Sequence, residues 1–136
     1  MNNTKQVIVM RKDLNMRKGK MCSQAAHSSM KVFFDKLYNP DFSSEGGFDA
    51  GLRTMKLTEE ELAWVNVKFT KICVSVNSEA ELLEIYNKAK EAGLNCALIT
   101  DSGLTEFGGV PTNTCCSIGP NYNEKIDPIT SHLPLL

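Results

Sequence analysis

The sequence predicts an α/β protein, a single three-layer α/β/α domain built on a four-stranded mixed sheet. Short apolar segments rich in β-branched residues alternate with segments of helical periodicity, a pattern typical of helices packed on a sheet. Two of the predicted helices are preceded by residues that cap helix N-termini. The length of 136 residues and the hydrophobic content of 42% suit one domain that can bury a core. We therefore treat residues 1–136 as one domain.

The first third of the chain predicts a strand, a helix and a long loop. Apolar residues indicate a strand at about 6–11, and a helix of roughly 20–37 ends before Asn39-Pro40 because proline cannot continue it. Residues 41–56 are rich in glycine and polar residues, which indicates a long loop. Loops of that length are usually functional or disordered.

Two capping motifs divide the middle of the chain. Thr58-Glu59-Glu60-Glu61 predicts the start of a short helix that runs to about Val67. A strand follows at 69–76, and Ser78-Glu79-Ala80-Glu81 predicts a second capping box. The helix that begins there should end at Gly93, since glycine readily adopts the left-handed conformation of a helix C-terminus.

The last third predicts two strands and a closing helix. The strands lie at about 96–100 and 114–118, and Asp127-Pro128 suits the N-cap and first turn of a short helix. If Cys115 and Cys116 lie on a strand, their side chains point to opposite faces of the sheet.

Charge is distributed unevenly along the chain. The formal net charge is −1, yet residues 1–34 contain seven lysines and arginines against the single acid Asp13. Such a polarised field attracts phosphates without making the whole surface bind polyanions. A solvated basic face is the alternative interpretation of the charge alone.

The five cysteines and the chain start bear on compartment and metal binding. An odd number of cysteines, mostly in apolar elements, predicts small core residues in a reducing compartment. A cysteine metal site needs clustered ligands at CxxC-like spacing, and the sequence contains no such spacing. No apolar run approaches the ~20 residues of a membrane helix, and the first residues lack the apolar segment of a signal peptide. We expect a cytoplasmic protein without a membrane segment.

Four segments of the chain carry recognisable motifs: VIVMRKDL at 7–14, Lys18-Gly19-Lys20 with Gln24 and His27, LITDSGLTE at 98–106, and residues 118–133. Together these motifs resemble the type 2 peptidyl-tRNA hydrolase family. The match spans nearly the whole domain in the right order, and this combination is specific although each motif alone is weak. Two features depart from the family pattern: residues 38–66 are an insertion with a loop and a short helix, and Arg17 stands where the family commonly has glycine.

The resemblance implies hydrolysis of the ester between a peptide, or an N-blocked amino acid, and the 3′-terminal ribose of tRNA. Ester hydrolysis needs a positioned water and stabilisation of the developing oxyanion. We expect Lys20 to supply a positive donor to the oxyanion or a ribose phosphate, and Asp101 to orient the water or Lys20. Thr105 and Thr114 offer hydroxyls that can hold water or substrate.

The remaining candidates concern substrate binding. Gln24 lies one helical turn after Lys20 and is a candidate substrate contact. The basic residues Arg11, Lys12, Arg17 and Lys18 are expected to contact tRNA phosphates. His27 is the obvious general base near neutral pH, but its place beside two alanines favours a hydrogen-bonded core histidine, so the identity of the base stays open.

Other functional classes remain open at this point. The chain lacks a Gly-x-Ser-x-Gly elbow and a phosphate-binding loop of the Walker or dinucleotide type, which favours a cofactor-free hydrolase. A non-catalytic tRNA- or RNA-binding protein on the same fold is the main alternative, and an adaptor that binds through 41–56 is another. We favour the enzyme because phosphate binding alone needs no carboxylate within a basic site. The resemblance implies peptidyl-tRNA as the partner and a possible homodimer.

Overall fold

The structure, a computed structural model, describes residues 3–38 and 53–136. The helices and strands follow one another in the order that the sequence predicts. They are β1 (Thr4–Arg11), α1 (Lys18–Phe34) with a following 3₁₀ turn (Asp35–Leu37), α2 (Glu59–Asn66), β2 (Lys71–Val76), α3 (Glu79–Glu91), β3 (Cys96–Asp101), β4 (Thr112–Tyr122) and α4 (Asn123–Thr130).

The four strands form one mixed sheet in the order β2-β1-β4-β3. β1 and β2 are parallel, and β4 is antiparallel to both of its neighbours. The strands β1, β2 and β3 therefore point the same way. As a result, the carboxyl ends of β1 and β3 and the amino end of β4 meet at one edge, which we call the upper edge of the sheet.

Helices cover both faces of the sheet, which confirms the predicted α/β/α architecture. Along β1, Val7 and Val9 belong to a core with residues of α3 and α4, whereas Ile8 and Met10 pack with residues of α1 on the other face. Cys115 and Cys116 of β4 divide between the same two cores, as the strand geometry predicts.

The Thr58 capping box forms as predicted, and the Ser78 motif forms in a modified way. Thr58 accepts a hydrogen bond from the Glu61 N–H, and the Glu61 carboxylate accepts one from the Thr58 N–H. Ser78 accepts from the Glu81 N–H, but Glu81 accepts from the N–H of Asn77 instead of Ser78. The Glu81 carboxylate at the start of α3 therefore accepts from the residue before the N-cap instead of from the N-cap itself.

The prediction for the closing helix was wrong about where it begins. α4 starts at Asn123, with Tyr122 as its N-cap, and Pro128 lies inside it. The Asn123 N–H donates to the carbonyl of Asn3, and Asp127 forms an ion pair with Lys5 of β1. Contacts with the amino-terminal strand thus accompany a helix start that Asp127-Pro128 alone would place later.

Two further outcomes concern the cysteines and the long loop. Cys22 is exposed on α1, which corrects the expectation for that residue, whereas Cys115 and Cys116 are buried. Most of the predicted loop at 41–56 lies outside the described residues. Within the described part of the chain, no helix is long and apolar enough to cross a membrane.

Candidate active site

The upper edge of the sheet brings together side chains from β3, β4 and the first two turns of α1. Lys20 lies in the first turn of α1, and Gln24 follows one turn later on the buried side. Asp101 is the last residue of β3, and Thr114 lies near the start of β4. Four of the predicted site residues therefore meet because of sheet topology and one helical repeat.

Lys20 is the centre of this cluster. Its Nζ donates to Asp101 Oδ1 at 2.9 Å and to Thr105 Oγ1 at 2.8 Å. The side chains of Lys20 and Asp101 are 13% and 14% exposed, so the pair is shielded but still reached by solvent. An ammonium group has three donors. One donor of Lys20 is therefore left for a substrate.

Gln24 and Thr114 lie beneath the ion pair and are buried. Thr114 Oγ1 donates to Gln24 Oε1 at 2.6 Å, and Gln24 Nε2 donates to Asp101 Oδ1 at 3.2 Å. The threonine hydroxyl thus fixes the amide so that its N–H faces the carboxylate. Both residues act on Asp101 from below rather than from the solvent side.

The loop after β3 completes the cluster. The N–H of Gly103 donates to Asp101 Oδ2 at 2.9 Å. Gly103 has φ +82°, and a Cβ at this position would overlap the backbone oxygen of Val110. Only glycine fits both the positive φ and the close approach. The loop also carries Thr105, and Phe107, whose ring centroid lies 5.7 Å from Lys20 Nζ.

These contacts determine the charge state of Asp101. The hydrogen bond from Lys20 lowers the pKa of Asp101 below its usual value, burial acts in the opposite direction, and the Gly103 N–H lowers it further. Asp101 is therefore a carboxylate at neutral pH. As an acceptor, Oδ2 has a second lone pair that the Gly103 N–H does not use.

The basic residues near the site divide into two groups. Lys12, Arg17 and Lys18 are exposed, and in residues 3–38 and 53–136 none of their side chains has a hydrogen-bond or ion-pair partner. Arg11 is buried instead. Its guanidinium donates to Asp13 and to the backbone oxygen of Asn113 at 3.1 Å.

His27 is exposed on α1, so the expectation of a core histidine was wrong. The buried side of α1 carries Gln24, Ser28 and Val32, one residue per turn. His27 precedes Ser28 and therefore lies off this line. Because two of these three buried residues, Gln24 and Ser28, are polar, the pattern of hydrophobic residues does not show which side of α1 faces the sheet.

Sequence reasoning missed Gly103 and Glu106 as parts of this region. Gly103 carries the N–H that binds Asp101, and Glu106 lines a cavity beside Thr105. The Ser-Gly after a strand was a signal for the former, since a carboxylate often accepts from a backbone N–H two residues on. Among the described residues, no group of three or more His, Cys, Asp or Glu side chains is placed to hold a metal ion.

Comparison with known proteins identifies relatives over the full domain. The family model described as Peptidyl-tRNA hydrolase PTH2 matches residues 4–136. The peptidyl-tRNA hydrolase of Methanocaldococcus jannaschii is 41% identical over 133 residues, covering 97% of this chain and 99% of the relative. The peptidyl-tRNA hydrolase of Methanothermobacter thermautotrophicus is 42% identical over 134 residues, again covering 97% and 99%.

A solved structure supports the fold alone. A protein of unknown function from Agrobacterium tumefaciens superposes with a TM-score of 0.56 at 11% identity, covering 100% of this chain and 99% of that protein. The family match and the two archaeal relatives extend over nearly all of the chain, including the elements that carry Lys20 and Asp101. This chain therefore belongs to the peptidyl-tRNA hydrolase PTH2 family.

Proposed function

We propose that this protein hydrolyses the ester that joins a peptide, or an N-blocked amino acid, to the 3′-terminal ribose of tRNA. The observation that carries the assignment is the shielded Lys20–Asp101 pair, held by Thr105, Gln24 and Thr114 at the upper edge of the sheet. In open α/β sheets, ligands bind outside the carboxyl ends of the strands.

The free hydrogen-bonding capacity of the pair suits ester hydrolysis. The third donor of Lys20 is available to the ester carbonyl oxygen, where negative charge develops when water adds. The unused lone pair of Asp101 Oδ2 is available to the attacking water. Water adds to the carbonyl carbon, the bond to the ribose oxygen breaks, and the products are a carboxylate, a tRNA with a free hydroxyl and one proton released to solvent.

The lowered pKa of Asp101 bears on its part in this step. A carboxylate whose charged form is stabilised is a weak base. Asp101 is therefore suited to orient the attacking water rather than to take up and hold a proton from it. The proton ends on the departing ribose oxygen. We assign Lys20 and Asp101 to the reacting centre, Thr105 to holding Lys20 or the substrate, and Gln24 and Thr114 to positioning Asp101.

This arrangement favours the enzyme over a non-catalytic tRNA- or RNA-binding protein. A carboxylate in the middle of a basic site repels phosphate, and binding alone does not need one. The direct test is incubation of the purified protein with N-acetyl-aminoacyl-tRNA, with and without EDTA. We expect release of free tRNA in both cases, since no metal ligand cluster is apparent from the sequence. Binding without release favours the RNA-binding protein, and activity restored specifically by zinc reveals a metal site.

We assign tRNA binding to the exposed cations Lys12, Arg17 and Lys18. Arg11, which the sequence groups with them, has its donors engaged by Asp13 and Asn113, and we assign it to holding the loop between β1 and α1. Because peptidyl-tRNA is a product of translation, we also propose a cytoplasmic location. The homodimer rests on the family resemblance alone, and light scattering tests it against the 15.1 kDa mass of one chain.

Salt dependence separates phosphate contacts from chemistry. In the double variant Arg17→Ala/Lys18→Ala, each lost contact should reduce the slope of log K against log salt by about 0.7 to 0.9. Turnover at saturating substrate should change little. Lys68→Ala removes an exposed cation just before β2, away from the upper edge, and serves as the control. An unchanged slope in the double variant would mean that tRNA lies elsewhere on the protein.

A further inference from the structure

A polar cavity of about 460 Å³ lies beside the Lys20 cluster. One wall is the segment between β1 and α1, with Leu14, Asn15 and Arg17, and the other wall is Thr105 and Glu106. Thr105 also accepts the hydrogen bond from Lys20. The cavity is therefore continuous with the cluster that we assign to ester hydrolysis.

The cavity carries two opposite charges, those of Arg17 and Glu106. Arg17 and Glu106 are both exposed, and the side chain of neither forms a hydrogen bond or ion pair with any described residue. Arg11, by contrast, is paired with Asp13. A free guanidinium and a free carboxylate on one cavity suit a ligand that carries both an anionic group and a hydrogen-bond donor.

We propose that this cavity binds the 3′-terminal nucleoside of tRNA, with Arg17 near its 5′-phosphate and Glu106 accepting a hydrogen bond from the exocyclic amino group of the base. The proposal rests on the proposed function. The ester oxygen belongs to the ribose of this nucleoside, so its base and phosphate must lie within one nucleotide of Lys20. The cavity lies within this distance of Lys20, because Thr105 both lines the cavity and binds Lys20.

The chemistry of the walls fits a terminal adenosine. Adenine presents a 6-amino donor, which a carboxylate accepts. Leu14 offers apolar contact to a ring face, and a volume of about 460 Å³ lies within the usual range for small-molecule sites of about 300 to 1,000 Å³. Glu106 thereby determines which base is accepted, while Arg17 contributes affinity without reading the base.

Replacing the terminal adenosine by inosine tests the assignment. Inosine carries a carbonyl oxygen where adenosine has its amino group, so it places an acceptor against the Glu106 carboxylate. With N-acetylphenylalanyl-tRNA ending in either nucleoside, we expect the wild-type protein to have a kcat/KM about 10-fold or more higher for adenosine, the scale of one base-edge hydrogen bond.

Three variants separate base reading from other roles. Glu106→Gln should reduce the preference to within about threefold, because the glutamine amide can donate to inosine or accept from adenosine. Arg17→Ala should lower kcat/KM for both substrates by the same factor. Glu91→Gln changes an exposed carboxylate at the end of α3 and should leave both values unchanged.

Failure of this proposal is distinguishable from failure of the proposed function. Equal kcat/KM for the two tRNAs, or a preference that Glu106→Gln retains, overturns the nucleoside site while hydrolysis itself stands. Absence of hydrolysis of the adenosine-ended substrate by the wild-type protein overturns the proposed function.

Discussion

Lys20 and Lys36 lie at opposite ends of the same helical segment, and each pairs with a carboxylate from another element. Lys20 binds Asp101 of β3 at 2.9 Å, and Lys36, in the turn after α1, binds Glu61 of α2 at 2.5 Å. Both pairs join a helix to a neighbouring element. Their surroundings differ.

The Glu61 carboxylate is fully buried and surrounded by donors from the protein. It accepts from Lys36, from the Thr58 N–H at 2.9 Å and from Asn95 Nδ2 at 3.3 Å. Lys36 also donates to the carbonyl of Lys56. Around Lys20 and Asp101, one N–H of the ammonium group and one lone pair of the carboxylate have no partner among the described residues. A polar cavity lies beside this pair. Of these two lysine–carboxylate pairs, the one at the candidate site is the one that keeps free hydrogen-bonding capacity facing solvent.

Replacing each lysine by methionine gives the largest expected effect. Lys20→Met should lower kcat by at least about 100-fold, the scale of removing one oxyanion donor, with little change in Tm. Lys36→Met should leave kcat near the wild-type value. The measurements are steady-state hydrolysis and thermal unfolding on both variants. A large loss of kcat in folded Lys36→Met would refute the contrast between the two pairs.

The stability of the fold should depend on the Glu61 pair more than on the Asp101 pair. Glu61→Gln keeps the shape but leaves Lys36 without a counter-charge, and we expect a loss of roughly 1–3 kcal/mol in the free energy of unfolding. Asp101→Asn should cost less, because its partner Lys20 can reach solvent. Urea unfolding at pH 7 measures both. Equal losses would show that the two pairs serve the fold alike.

The loss of stability at acid pH should also depend on the Glu61 carboxyl, with a smaller effect than the substitutions above. Burial would raise the pKa of Glu61, but hydrogen bonds from Lys36 and Thr58 more than offset it and lower the pKa, as Lys20 does for Asp101. A carboxyl with a lowered folded pKa contributes stability that is present above its unfolded pKa, about 4, and is lost as pH falls through the folded pKa.

The pH series can therefore be compared between variants. Below about pH 4 the wild-type protein should lose stability, and Glu61→Gln should show a shallower decline, since it lacks that carboxyl. Between pH 5 and 7 the two curves should run parallel. Unfolding free energies at pH 7, 5, 4 and 3 check this, and an acid limb of unchanged steepness in Glu61→Gln would contradict it.

The parts of the fold that sequence predicts are those determined by local chemistry. The Thr58 capping box forms because its partners are three residues apart, and Lys20 and Gln24 can both reach Asp101 because they are one helical turn apart. The meeting of Lys20 with Asp101 needed the topology as well, which the family resemblance supplied.

The errors arose where distant contacts outweigh local preference. α4 begins at Asn123, where Asn3 accepts its N–H, although Asp127-Pro128 resembles a helix start. The burial of Gln24 and the exposure of His27 depend on which side of α1 faces the sheet. Because that side carries the polar residues Gln24 and Ser28, the pattern of hydrophobic residues does not identify it. The burial of Glu61 likewise depends on Lys36 and Asn95, which are distant in sequence.

The close approach of Gly103 to Val110 gives the site a property useful in protein engineering. These residues, with a hydrogen bond of 2.8 Å from the Gly109 N–H to the Gly103 carbonyl, close the loop at its base. Asp101 lies before that closure, on the sheet. Leu104 and Glu106 lie within the closed segment on either side of Thr105, which binds Lys20, so these two positions can be varied while Thr105 is kept. Libraries at Leu104 and Glu106 can therefore be screened for hydrolysis of tRNAs with altered 3′ ends without replacing the residues that we assign to the reacting centre.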